Sequence, residues 1–234
     1  MDLASQLRSS ILSQSLPPPS QTFVTSLLAA RNPPPPLASL VATAKSRLLA
    51  CDLSSSPSLD SASLVVFPAG VENTHLREQT LQRDTYVQVL DIENLSLSRW
   101  EQIEELESIE KGERTRGREI IRVTADQDDG SGGEPQQQRA TPSSNATHRL
   151  VLQDRSGKKV YGLELRRVPQ IGVGKTKIGE KLILKAGTRV ARGSVMLTPE
   201  TCQVLGGKVE AWHKTWTESR IARLKEAIGG DQRP

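Results

Sequence analysis

Residues 148–165, HRLVLQDRSGKKVYGLEL, decide the fold class of this chain. Two short β-rich runs, HRLVLQD and KKVYGLEL, flank DRSGKK, whose Gly and Asp mark a hairpin turn. Outward from this hairpin the same grammar recurs. TYVQVLDI (85–92) precedes it; EKLILKAG (180–187) and SVMLTPETCQVLGG (194–207) follow, each bounded by Gly, Asp or Pro. Five short strands in one stretch predict a small barrel or sandwich over residues 84–207. The closing KVEAWHKTWTESRIARLKEAI (208–228) predicts a helix. Val209, Trp212, Trp216, Ile221, Leu224 and Ile228 share one face, and Gly229-Gly230 supplies a stop.

Before the strands the period is helical. Leu3, Leu7 and Ile11 recur every four residues, then Phe23, Leu27 and Ala30, then Leu37, Leu40, Val41, Ala44, Leu48 and Cys51. Proline runs at 17–19 and 33–36 separate the three, since Pro is tolerated at a helix start and not within one. SSSPSLDSAS (54–63) reads as a loop. Residues 1–80 thus form a helical domain too small to be stable alone, expected to pack on the strands.

The chain of 234 residues carries 31 Lys+Arg against 27 Asp+Glu, and the balance is uneven. Residues 1–95 hold 6 basic and 8 acidic groups, residues 96–146 hold 7 and 11, and residues 147–234 hold 18 and 8. The basic end is where a polyanion would be attracted. No apolar run is long enough for a membrane helix, and the N-terminus has no secretory pattern. Two distant cysteines, Cys51 and Cys202, speak against a disulfide framework or zinc site and for a reducing compartment.

Strands one and two are separated by residues 96–146, longer than an ordinary loop. Residues 125–146, polar and rich in Gly, Pro and Gln, read as disordered. The nearer part reads as an amphipathic helix with Trp100, Ile103, Leu106 and Ile109 every three residues, and Glu107 placed to pair with Lys111. Beyond it GERTRGREIIRVT (112–124) sets charges against Ile120, Ile121 and Val123. Aromatic and Arg anchors dominate binding energy, and a charged fringe sets orientation. The insertion therefore has the makeup of a protein interface: Arg99, Trp100, Ile103, Leu106, Arg114, Arg116, Arg118, Ile120 and Ile121. Against this stands a simpler reading, in which residues 120–123 extend a strand and Trp100 packs locally.

Catalysis finds little support. His75, His148 and His213 are scattered and read as surface or satisfied residues. PQIGVGKT (169–176) resembles a phosphate loop, but Pro169 stands where the first Gly belongs and a strand follows instead of a helix. No cofactor and no metal are expected. Single-strand binding is the rival, with Lys158, Lys159, Arg166, Arg167, Lys185, Arg189 and Arg192 supplying charge. Stacking aromatics are scarce. Tyr161 alternates with Leu163 and Leu165, which predicts the core face; Trp212 and Trp216 are expected to pack along their helix. DNA contact is then weak and salt-sensitive.

YVQVLDIENLSLSRWEQIEELESIEKGERTRGREIIRV (86–123), HRLVLQDRSGKKVYGLELRRVPQI (148–171) and VMLTPETCQVLGGKVEAW (195–212) resemble the RecQ-mediated genome instability protein family. The resemblance spans most of the chain and is of a short, fungal type. It implies an OB-fold, a five-stranded Greek-key barrel, with a helical domain packed on it and an insertion reaching the gate of a type IA topoisomerase III. It also implies a non-enzymatic nuclear subunit that works with a RecQ-family helicase to dissolve double Holliday junctions. The further C-terminal OB-fold of animal relatives is not expected here. Two other readings stay open: a general single-stranded-DNA-binding module, and a passive bridge between helicase and topoisomerase.

Overall fold

The computed structural model describes residues 2–110 and 146–230. It divides into two compact units, Met1–Ser96 with Thr147–Ser219, and Leu97–Ala146 with Arg220–Pro234. The first unit holds two apolar cores, one among helices and one inside a curled sheet.

Helices α1 (Leu3–Ser13), α2 (Gln21–Ala29) and α3 (Leu37–Ala50) form where the four-residue spacing predicts them. Asp2 caps α1 by accepting from the Ala4 N–H at 2.6 Å, and Ser20 caps α2 through the Phe23 N–H at 3.2 Å. Leu7, Ile11, Phe23, Leu27, Leu40, Val41, Ala44 and Leu48 are all buried together. The first proline run is buried, and the loop after α3 lies along it. Ser20 N–H donates to Ser58 O at 2.8 Å, and Asp60 N–H donates to Pro18 O at 2.9 Å. The helical core ends at Leu64; Phe67, Val71 and Leu81 belong to the core of the sheet.

The sheet contains β1 (Gln79–Thr80), β2 (Thr85–Asn94), β3 (His148–Gln153), β4 (Lys159–Glu164), β5 (Lys181–Leu184), β6 (Arg189–Ala191), β7 (Ser194–Leu197) and β8 (Cys202–Gly206). Its 8-stranded order is β1-β6-β7-β4-β3-β2-β5-β8. The five expected strands are present as β2, β3, β4, β5 and a fifth divided into β7 and β8. The count differs because the Thr198–Thr201 turn splits that fifth run, and because β1 and β6 add a short antiparallel pair. β7 runs parallel to β4 while β8 runs antiparallel to β5. Consecutive segments of chain thereby bond to both branches of the sheet, which curls it. At the β3–β4 turn Gly157 takes φ +85°, the left-handed conformation that glycine tolerates. Helix α5 (Glu210–Gly230) follows, and its first tryptophans, Trp212 and Trp216, pack against the sheet core as expected. The described helix runs to the Gly229-Gly230 pair.

A buried amide joins the helical and sheet cores. Gln88 on β2 accepts from the Leu53 N–H at 2.8 Å and donates to Asp52 at 2.7 Å and to Gln153 on β3 at 2.9 Å. Beside it Tyr86 packs on the helical core, and its hydroxyl reaches the Ser15 and Leu16 carbonyls at 3.3 Å each. Truncating Gln88 leaves the buried Leu53 N–H without its acceptor and removes a bond from each of Asp52 and Gln153. Gln88→Ala is therefore expected to cost about 2–4 kcal/mol, read from urea unfolding.

Lys181 on β5 is fully buried and donates to Gly179 O at 2.5 Å. Burial pulls its pKa from 10.5 down to about 8, against the opposing pull of Cys51 and Asp52. Between about pH 8 and 10.5 the unfolded chain binds the proton that the folded chain has lost, so this group's contribution to stability rises with pH. The stability of the wild type relative to Lys181→Met should rise by at most about 3 kcal/mol across that window and level off above it. Unfolding curves at stepped pH check the sign.

Candidate binding surfaces

The inner and outer faces of β4 are set by one glycine and one acid. Val160, Gly162 and Glu164 point inward; Lys159, Tyr161 and Leu163 point the other way. A Cβ on Gly162 would stand 2.8 Å from Leu152 Cδ1 and 3.1 Å from Leu197 Cδ1, both fully buried leucines. The barrel wall there has room for a hydrogen and no more. Glu164 is held inward by four donors: His148 Nδ1 at 2.7 Å, the His148 N–H at 2.8 Å, Arg167 Nη1 at 2.6 Å and the Val168 N–H at 2.9 Å. Burial raises its pKa, and these bonds more than reverse that, holding it below the usual carboxylate range.

This parity corrects the reading of Tyr161 as a core residue. Tyr161 is 50% exposed and Leu165 61%, and the Arg149 guanidinium lies 5.0 Å over the tyrosine ring. Alternation alone could not choose between Tyr161-Leu163-Leu165 and Val160-Gly162-Glu164. A glycine on the opposite parity, where a side chain cannot fit, was the overlooked signal. Arg149 was also missed; it bonds Glu93 on β2 at 2.6 Å and caps the ring.

The seven cations expected to hold DNA do not form one free basic face. Lys158 meets Glu72, Arg166 meets Glu200, Lys185 meets Asp84 and Arg189 meets Glu78. Arg167 is drawn to buried Glu164, and Arg192, at φ 50°, occupies the tight β6–β7 turn. Lys159 is exposed beside Tyr161.

His148 is buried and satisfied by Glu164, as expected for a structural histidine. His213 stacks on Trp216, and its Nδ1 accepts from the Ile178 N–H at 3.3 Å. In PQIGVGKT, Thr176 Oγ1 accepts from the Gly172 N–H at 3.1 Å and Lys175 reaches Pro169 O at 3.3 Å. The Gly172, Lys175 and Thr176 N–H groups all bond acceptors within the loop, and strand β5 follows.

In the second unit, α4 (Arg99–Glu110) forms where an amphipathic helix was expected. Ser98 and Glu101 exchange bonds across its first turn, with Ser98 Oγ accepting from the Glu101 N–H at 3.2 Å and Glu101 Oε2 from the Ser98 N–H at 2.7 Å. The helix meets the second half of α5. Lys225 lies 2.7 Å from Glu107, Arg220 donates to Gln102 at 3.4 Å, and Arg99 to Ala227 O at 3.5 Å. Of the four apolar or basic positions proposed here, Ile103 is 3% exposed, Leu106 and Arg99 are half-buried, and Trp100 is 62% exposed. Ile103 supports the helix; Trp100 presents itself. Arg114, Arg116, Arg118, Ile120, Ile121 and Lys111 lie outside the described residues, as does the segment expected to be disordered except Ala146, which is buried.

A curled OB sheet with a helical domain against it and a long insertion after its first long strand define the fold class. The chain belongs to the RecQ-mediated genome instability protein family. A family model described as the RMI1 N-terminal OB-fold domain matches residues 67–220, and one described as the RMI1 N-terminal helical domain matches residues 11–56. RecQ-mediated genome instability protein 1 of Schizosaccharomyces pombe is 29% identical over 149 residues, covering 60% of this chain and 63% of that protein.

Gly162→Ala is expected to destabilise the protein by about 1–3 kcal/mol, because the added methyl overpacks Leu152 and Leu197. Chemical denaturation measures it.

Proposed function

We propose that this chain is a non-catalytic nuclear subunit that binds a type IA topoisomerase III through the insertion between β2 and β3. Family membership, which carries a genome-stability role, supports this reading. The observation that carries it is the insertion itself, whose described part offers the exposed Trp100 on a capped, anchored helix. A buried Ile103 and the bonds to α5 hold that helix rigid, so the indole meets a partner with little entropy left to lose.

Such a topoisomerase cuts one strand, remains covalently attached through its own tyrosine, opens, passes another strand and reseals. An insertion that binds the open gate tenfold better than the closed one shifts the equilibrium by about 1.4 kcal/mol toward opening. Together with a RecQ-family helicase, this favours dissolution of double Holliday junctions. No residue of this chain takes part in strand cleavage.

Titration calorimetry of the cognate topoisomerase III tests the reading. The full chain should bind. A variant with residues 97–145 replaced by a short Gly/Ser turn, folded by circular dichroism, should lose binding, and Trp100→Ala should weaken it about tenfold or more. Wild-type affinity in both variants moves the interface elsewhere on the protein.

A further inference from the structure

The chain carries two proline runs, and the fold uses them differently. Pro17, Pro18 and Pro19 are buried, and the loop after α3 is bonded along them, with the Asp60 N–H donating to Pro18 O and Leu59 bridged to Pro19. The second run, residues 33–36, lies outside: Pro33, Pro34 and Pro36 are exposed and Pro35 is half-buried. Its conformation is fixed by covalent chemistry. Each ring holds φ near its own fixed value, and Pro33, Pro34 and Pro35 each precede another proline, which disfavours helical ψ. Pro36 shows the result, with φ −54° and ψ 147°, the polyproline II conformation. In that helix three residues make a turn of roughly 9 Å. Pro33 and Pro36 therefore share one outward ridge and Pro34 lies on a second, while half-buried Pro35 faces the protein.

Starting α3 accounts for one of these four prolines. Pro36 is the cap, its carbonyl accepting from the Ser39 and Leu40 N–H groups at 3.0 and 3.1 Å. The Pro33, Pro34 and Pro35 carbonyls accept from no described residue, which leaves them for a partner's donors. The charge around the run has one sign. From Leu3 to Cys51 the sequence holds Arg8, Arg31, Lys45 and Arg47 and no acid. Arg8 is taken by Asp60, whereas Arg31, Lys45 and Arg47 are exposed and meet no described carboxylate. Arg31 stands two residues before the run. A nucleic-acid strand would be drawn to these cations but would find nothing to stack on. The one aromatic residue before Phe67 is Phe23, and it is buried.

We propose that residues 31–36 are a docking ligand for a proline-reading protein domain whose groove is lined by aromatic rings and bordered by acidic side chains. The rings take Pro33 and Pro36 from their common ridge, donors in the groove take the unused carbonyls, and the acids take Arg31. A preformed polyproline helix has little backbone freedom left to lose, so even a short one is ordered at small cost. A mere spacer between α2 and α3 would need the length of the run but not its exposed rings or the cation before it. The site is independent of the topoisomerase reading, and its test contains no topoisomerase.

The SH3 and WW domains encoded in the same genome, each purified and fluorescein-labelled, are titrated by anisotropy with the full chain at low salt. At least one should bind with a Kd below about 100 μM. For that domain Pro33→Ala should weaken binding about tenfold or more, and Arg31→Glu about threefold or more, with circular dichroism unchanged in both variants. In a second measurement the unmutated chain carries 13C-labelled proline. Adding the same domain should shift the signals of Pro33 and Pro34 and leave those of buried Pro17, Pro18 and Pro19 in place. Wild-type affinity in either variant, or shifts confined to prolines outside residues 33–36, overturns the proposal. A chain that binds none of the domains also overturns it and leaves the run as a spacer between two helices.

Discussion

The first unit depends on the three bonds of Gln88. A side-chain amide with both ends occupied, buried between a helix terminus and two strands, is costly to leave half-satisfied and so permits one arrangement. Asp52 and Leu53 hold the end of α3 to it, and Gln153 holds the neighbouring strand. A helical domain of this size buries little surface and is marginal by itself. Its loops are tied down in the same way, by Tyr86 at one end and by Asp154 reaching the Phe67 N–H at the other. The polar contacts thus specify how two apolar cores, each adaptable by itself, are joined.

Charge obeys a different logic. The strongly basic C-terminal half suggests a broad polyanion-binding face, yet three of its seven candidate cations meet carboxylates supplied from elsewhere and two more meet its own Glu164 and Glu200. Glu72, Glu78 and Asp84 come from the segment before or at the start of the sheet, far away in sequence. Exposed pairs of this kind contribute little to stability, but they lower the local potential that a phosphate would feel. Even on the β3–β4 hairpin, whose own two acids point inward, Arg149 meets Glu93 and Arg166 meets Glu200.

The helices and the identity of the strands were legible because each rests on local physics. Leu7 and Ile11 fall on one helix face whatever lies opposite, and Asp2 and Ser20 cap through bonds two and three residues away. The hairpin turn at Gly157 was equally local. Tyr161 was not, because two parities of β4 are both apolar enough to face a core. The choice was made by Leu152 and Leu197, which fill the barrel and admit only a glycine hydrogen. The division of the fifth strand and the added β1–β6 pair also depend on which segments meet at the sheet's edges. In the insertion the helix and its Ser98–Glu101 cap follow from spacing, whereas the separation of buried Ile103 from exposed Trp100 follows from the partner helix α5.

By itself the sequence determined a helical domain followed by a small barrel, the place of the long insertion and the family to which these belong, because periodicity, capping and turn chemistry act over a few residues. Tertiary structure alone decided that Tyr161 looks outward, that Lys158 and Lys185 are paired, and that Lys181 is buried. Those outcomes depend on the volume left between side chains, and on carboxylates brought near from distant parts of the chain.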